Sequence, residues 1–177
     1  MGRAMTRLIA LFTAAVIVLA GCDTTTGGSG STRQYKISSN STAKIQYRVL
    51  DSINALRQAS GAPALELNAQ LNAAAATHSR DMSIQNRPWH FGSDGSSPLQ
   101  RVQRVGYTGR FLGENISETY ETDMQTIEAW LADEGTRTIL LNPEARHMGF
   151  AWYQESNGKI WWTLVTGSPV DTPQVHG

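Results

Sequence analysis

His78, His90, Glu114, Glu128 and His147 are the candidates in this sequence for proton transfer, cation binding or polar recognition. Imidazole titrates near pH 6.5 and passes a proton in either direction, while a carboxylate orients it or accepts its hydrogen bond. The same two donor types ligate divalent cations. Spacing along the chain does not choose between these uses. Ser93, Ser96 and Ser97 crowd the region around His90, but turn chemistry and an N-cap ahead of Pro98 account for their density. No nucleophile arrangement emerges. The one cysteine, Cys22, excludes an internal disulfide, a Cys-paired zinc set and a CxxC redox site.

Helices and a hairpin must position those residues. Ile45, Val49, Ile53 and Leu56 recur at three- and four-residue steps, predicting a first helix that Gly61 and Pro63 stop. Asn68 is the expected N-cap of a second helix through the alanine-rich stretch 71–82, with Leu71, Ala75, His78 and Met82 on one face. His78 reads there as a satisfied helix histidine. Residues 86–97 form a loop rich in Gly, Ser, Asp and Pro that carries Trp89-His90-Phe91. Within it His90 fits either a packed loop residue or a site residue, and Glu114 after Gly113 fits either a turn-orienting carboxylate or a site carboxylate.

Ser97-Pro98 opens a short helix through Leu99, Val102 and Val105 that Gly106 closes, and Thr122 caps another with Met124, Ile127 and Leu131 inward. A polar connection with Asn142-Pro143 leads to the strongest strand pattern. There, 148–153 and 160–165 flank Ser156-Asn157-Gly158, the chemistry of a tight hairpin turn. Trp152, Trp161 and Trp162 cannot share one face, because neighbours along a strand alternate. Helices first and a hairpin last predict an α+β fold, with helices covering a mostly antiparallel sheet.

At 177 residues the chain is one domain with modest extras. Fifteen Lys+Arg balance fifteen Asp+Glu, so no global field draws the protein to nucleic acid. Arg3 and Arg7 precede an apolar run from Leu8 to Ala20, a charged n-region before an h-region too short to span a bilayer. The run ends in Leu19-Ala20-Gly21-Cys22, which resembles the lipobox of bacterial lipoproteins. That resemblance implies a signal peptide over 1–21, cut before Cys22, and acyl chains such as palmitate on the cysteine. The membrane is then a partner reached through lipid, and the chain sits in the cell envelope, on the periplasmic or outer face of a bacterial membrane. Cleavage removes two arginines and no acid, so an anionic bilayer would not attract the remainder by charge. Residues 22–40 read as lipidated cysteine and flexible Thr/Gly/Ser tether, 41–167 as the folded domain and 168–177 as an irregular tail.

From Leu65 onward the sequence resembles the CAP (SCP) family of cysteine-rich secretory proteins, antigen 5 and plant pathogenesis-related proteins, in its bacterial lipoprotein branch. The matching pieces are Leu71-Asn72-Ala73-Ala74-Ala75 with His78 and Met82, His90-Phe91-Gly92 through Pro98, Arg104-Val105-Gly106-Tyr107, Gly113-Glu114-Asn115-Ile116, Ala129-Trp130, and Ile139-Leu140 through Asn142-Pro143 to Met148-Gly149-Phe150-Ala151. With the first helix they cover residues 45–167, in family order.

The resemblance implies an α-β-α sandwich and a cleft where two histidines and two glutamates can bind a divalent cation such as zinc. His90 and Glu114 match the first histidine and first glutamate, and Glu128 matches the second glutamate, with Glu134 as competitor. Thr136 stands where bacterial members carry the second histidine. A protonated hydroxyl is a poor zinc ligand, which weakens the cofactor expectation unless His147 enters the cleft instead. Two functions follow as expectations. One is a tethered, non-enzymatic binding module for a lipid, a peptidoglycan fragment or a protein. The other is a metal-dependent or acid/base envelope hydrolase using His90 and Glu114.

Overall fold

The computed structural model describes residues 35–118 and 122–170. Cys22, the stretch read as a signal peptide and most of the tether lie outside them. In chain order the elements are α1 (Thr42–Ala59), β1 (Glu66–Leu67), α2 (Ala69–Gln85), α3 (Pro98–Arg104), β2 (Arg110–Ser117), α4 (Asp123–Ala132), α5 (Glu134–Leu140), β3 (His147–Gln154) and β4 (Ile160–Ser168). The strands lie in the order β1-β3-β4-β2, antiparallel except for the two-residue β1, which runs parallel to β3. This is the α+β, α-β-α sandwich expected from the sequence.

Strand alternation distributes the core on two faces of the sheet. One face buries Ile45, Val49 and Ile53 of α1 and Ile127 and Trp130 of α4 against Met148, Phe150, Trp162 and Leu164. On the other face, Leu71, Ala74 and Ala75 of α2 and Val102 of α3 pack on Ala151 and Val165. Small residues let α2 approach closely. A Cβ on Gly149 would stand 2.2 Å from the main chain at Leu71, so any larger residue there pushes the helix off the sheet. Trp152 and Trp162 point to the α1 side and Trp161 is buried without joining them, as alternation requires.

Caps are where the sequence patterns place them. Asn68 accepts from Leu71 N, and Ser97 and Thr122 each form a reciprocal capping box with a glutamine three residues on. Five details differ from the sequence reading. The α1 stripe continues from Ile53 to Arg57, which is fully buried, while Leu56 is 41% exposed. The polar connection before β3 contains α5, capped by Asp133. The hairpin uses a wider loop: Gly158 N donates to Glu155 O and Glu155 N to Lys159 O, and of the Asn-Gly pair only Gly158 has positive φ, at 93°. Tyr35 and Ile37, read as tether, pack against the core, held by the Gln154 amide. Finally, β4 extends one residue into the stretch read as tail, to Ser168.

Candidate functional site

Glu114 lies in the middle of β2, a sheet edge, on the row of Val165 and Gly149. Its neighbours Gly113 and Asn115 are turned to α5: a Cβ on Gly113 would meet Ile139, and Asn115 Nδ2 donates to Thr136 O. Alternation therefore aims Glu114 at the α2 and α3 layer. There α3, fixed by its capping box and by Pro98 at its first position, presents Arg101. Arg101 Nη2 donates to Glu114 Oε1 and Oε2 at 3.0 and 2.8 Å, and Nη1 donates to Ser96 O. Both residues are about 6% exposed. A buried carboxylate of this kind is tolerable because a guanidinium neutralises it in place.

His90 completes the cluster from the loop. Its Nδ1–H donates to Glu114 Oε1 at 2.9 Å, and with its side chain half exposed it faces solvent at the site's outer end. That loop is ordered from below. Asn86 closes α2 in the left-handed conformation, and Trp89 Nε1 donates to Gln85 Oε1 while Arg87 stacks on the indole. Asp81 accepts from the amide and hydroxyl of Ser93, and Asp94 from Ser96 N. The serines thus serve turns and a helix cap. Hydrogen bonds from Ser96, and after them the one from Arg104, hold the Asp94 carboxyl well below its ordinary range.

His78 stands next to the cluster on the buried face of α2. Its Nε2–H donates to Trp89 O at 3.0 Å; Glu114 Oε1 lies 3.7 Å away, beyond hydrogen-bonding distance. Burial lowers the pKa of His78, against a smaller upward pull from Glu114, and keeps the ring neutral. The histidine carries the loop that carries His90. Its Nδ1 is buried without a hydrogen-bond partner among the described residues.

The other residues named from the sequence sit elsewhere. His147 Nδ1 is hydrogen-bonded to Tyr107 Oη at 2.9 Å, the hydroxyl that also donates to Ser168 O, and its row on the sheet is that of Gly167 and Phe111. Glu128 and Glu134 are exposed on α4 and α5. Thr136 Oγ1 donates back to Trp130 O at 2.7 Å, on the α5 side of the sheet. His90 and Glu114 are therefore brought together, and Glu128, Thr136 and His147 are not placed with them. The structure adds Arg101, which sequence reasoning missed. The available signal was weak: α3 buries Arg101 beside Val102 and leaves Leu99 46% exposed, the reverse of its hydrophobic pattern.

These donors do not fit a two-imidazole zinc site. Arg101 engages both Glu114 oxygens, and its charge repels a dication at that carboxylate. Among the described residues no group of three or more His, Cys, Asp and Glu side chains is arranged to hold a metal. Of the cluster, Arg101 lines a neighbouring cavity of about 300 Å³, with Asp81, Ser93, Asp94, Ser96 and Arg104 at its polar side and Ala74 and Val105 at its apolar one.

A three-layer sandwich with a histidine and a glutamate meeting at a sheet edge defines a class, and the comparisons identify it. The chain belongs to the cysteine-rich secretory protein (CAP) family, whose sequence model matches residues 50–166. It is 30% identical over 122 residues to the uncharacterized protein YkwD of Bacillus subtilis (strain 168), covering 69% of this chain and 47% of that protein. The same organism's uncharacterized membrane protein YlbC is 30% identical over 118 residues, covering 64% of this chain and 34% of that one. The chain spans about half the length, or less, of these curated relatives.

Among solved structures, an outer surface protein of Borrelia burgdorferi superposes with a TM-score of 0.67 at 16% identity, covering 77% of this chain and 99% of that one. An extracellular SCP-domain protein of Bacillus anthracis gives a TM-score of 0.62 at 23% identity, covering 75% and 44%. At those identities the likeness establishes the fold. Among the described residues no helix is long and apolar enough to cross a membrane.

Proposed function

We propose that this CAP domain is a non-enzymatic binding module of the cell envelope, anchored through acylated Cys22, that receives a polar envelope fragment at the His90 cleft. The observation that carries the reading is the Arg101 clasp on both Glu114 oxygens. It leaves the carboxylate no role as a free base or metal ligand, and leaves His90 as the exposed recognition group. The adjoining cavity sets carboxylates, hydroxyls and guanidinium groups at its rim beside the apolar Ala74 and Val105, which suits a ligand that carries hydroxyl and amide groups together with a short apolar part. A peptidoglycan fragment has that chemistry, as does a polar protein segment. The lipobox resemblance supports the anchor, and two acyl chains are enough for stable membrane attachment.

The test is calorimetric titration of the full chain in lipid nanodiscs with soluble muropeptides, beside a titration with Zn²⁺. Saturable muropeptide binding weakened at least tenfold by His90→Ala is expected. A tight one-to-one zinc site abolished by His90→Ala would overturn the reading. Metabolic labelling with an alkyne palmitate, lost in Cys22→Ser, tests the anchor separately.

A second reading rests on the 2.9 Å His90–Glu114 contact, which matches a base held by an orienting carboxylate. It predicts muropeptide cleavage that vanishes in His90→Ala. Unchanged muropeptides after prolonged incubation would exclude it.

A further inference from the structure

We propose that the outer edge of β3 at Trp152 is a docking groove for an extended segment of a partner polypeptide, which adds to the sheet as a further strand. This inference is independent of the His90 cleft.

The argument starts from the direction of main-chain groups. In an antiparallel ladder, alternate residues turn their N–H and C=O toward the partner strand and the residues between turn theirs away. Met148 O accepts from Asn68 N, Phe150 N donates to Asn72 Oδ1, and Phe150 O accepts from Gln46 Nε2, all on the side of β3 remote from β4. Trp152 follows in the same phase, so its N–H and C=O face that outer side too. The ring contact agrees. Trp152 lies opposite Trp162 with centroids 5.7 Å apart, as expected of a non-hydrogen-bonded pair, where side chains stand closest.

Coverage of this edge is uneven. β1 pairs with β3 only at His147 and Met148. Side chains of α1 and α2 substitute for a strand at Phe150. At Gln154 the side-chain amide reaches outward and holds a passing main chain, accepting from Ile37 N at 2.9 Å and donating to Tyr35 O at 2.7 Å. Between those two clamps, no strand or side chain among the described residues takes up the Trp152 pair. Exposed edge strands of this kind are templates for added chains.

The space beside Trp152 suits that occupant. A cavity of about 510 Å³ has Trp152 and Gln154 along its floor, Ala73 and Ala76 of α2 on one wall, and Ile37 on the other. Ala73 and Ala76 are exposed and small, so a second backbone can come within hydrogen-bonding distance of the edge. An acyl chain would fill the apolar walls but leave the floor's donor and acceptor without partners, at the usual cost of an unmade hydrogen bond. Main-chain recognition meets both requirements.

The experiment selects displayed random decapeptides on the full chain in nanodiscs, with counter-selection against Ala76→Arg, which fills the groove from an exposed helical position. Binders should lose at least tenfold affinity against Ala76→Arg and independently against Ala73→Arg, with both variants melting like the parent. They should slow amide exchange at Trp152, and N-methylation of the one peptide amide opposed to it should abolish binding while changes to neighbouring side chains do not. The proposal is overturned if no peptide survives counter-selection, or if binders leave Trp152 exchange unchanged. Palmitate perturbing Ala73 and Ala76 without protecting Trp152, where peptides fail, would assign the groove to an acyl chain and equally overturn it.

Discussion

Arg57 and Arg101 are both removed from water, at 0% and 6% exposure, on opposite faces of the same sheet, yet they hold different things. Arg57 donates to four main-chain carbonyls, those of Pro63, Leu140, Asn142 and Ala145. It ties the end of α1 to the turn after α5 and leaves nothing for a ligand to engage. Burial lowers its pKa, the main cause, with a smaller push from Arg146. Arg101 directs its charge to one carboxylate that in turn holds a half-exposed imidazole. A buried cation on carbonyls fixes loops; a buried cation on a carboxylate sets what an adjoining histidine can do.

The largest break in that comparison is Arg57→Met. Four carbonyl oxygens lose their donor, and each unmade buried hydrogen bond costs about 1–3 kcal/mol before relaxation and water entry recover part of it. A loss of roughly 3–5 kcal/mol is expected by urea unfolding, enough to unfold a marginal domain. A loss under about 1 kcal/mol would show that water replaces the guanidinium without penalty.

Arg101→Met should cost less, about 2–4 kcal/mol, because Glu114 keeps the His90 hydrogen bond. Here a double-mutant cycle sharpens the contrast. Arg101→Met with Glu114→Met removes the stranded charge as well, so the pair should be less destabilised than the sum of the single variants by more than about 1 kcal/mol. Simple additivity would mean that the two groups do not act as a unit.

The two arginines also mark where the sequence is legible. The caps at Asn68, Ser97 and Thr122, the strands of the hairpin and the pairing of His90 with Glu114 follow from local chemistry or from family motifs that survive in order. Arg57 and Arg101 do not, because a hydrophobic-pattern reading places long cations outside and promotes Leu56 and Leu99 to the core in their stead. Most of the groups that compensate their charge are far along the chain, Glu114 13 residues from Arg101 and the Leu140 and Ala145 carbonyls more than 80 from Arg57, so no local window contains them. α5 was hidden for a related reason. Its Glu-Gly-Thr-Arg-Thr start is polar, and what anchors it is a tertiary bond from Asn115 to the Thr136 carbonyl.

A pH titration probes the site side alone. Burial depresses the folded-state pKa of His78, so the unfolded chain binds the proton more readily. Its contribution to stability is in place above the unfolded value of about 6.5 and is lost as pH falls from there through the folded value. Glu155, held below its ordinary range chiefly by the Trp161 indole, acts in a separate window, from its unfolded value of about 4.3 downward. Unfolding free energy should therefore decline as pH falls below about 6.5 in the parent and flatten in His78→Gln, with the change smaller than that in Arg101→Met. A slope retained in His78→Gln would transfer the effect to another group.

The smallest expected effect comes from restoring the family's second histidine. Thr136→His puts an imidazole at the expected position, but residue 136 is on the α5 side, where its carbonyl takes a bond from Asn115, and Glu114 turns the other way along the same strand. Arg101 also stays on the carboxylate. Zinc titration of Thr136→His should therefore match the parent within about twofold, with a small stability loss from the missing hydroxyl bond to Trp130 O. The informative companion is Thr136→His with Arg101→Met, which removes the competing cation. A zinc site in the double variant alone would identify the guanidinium as what displaced the metal, whereas a site in Thr136→His alone would mean that α5 can swing its first turn across the edge of β2.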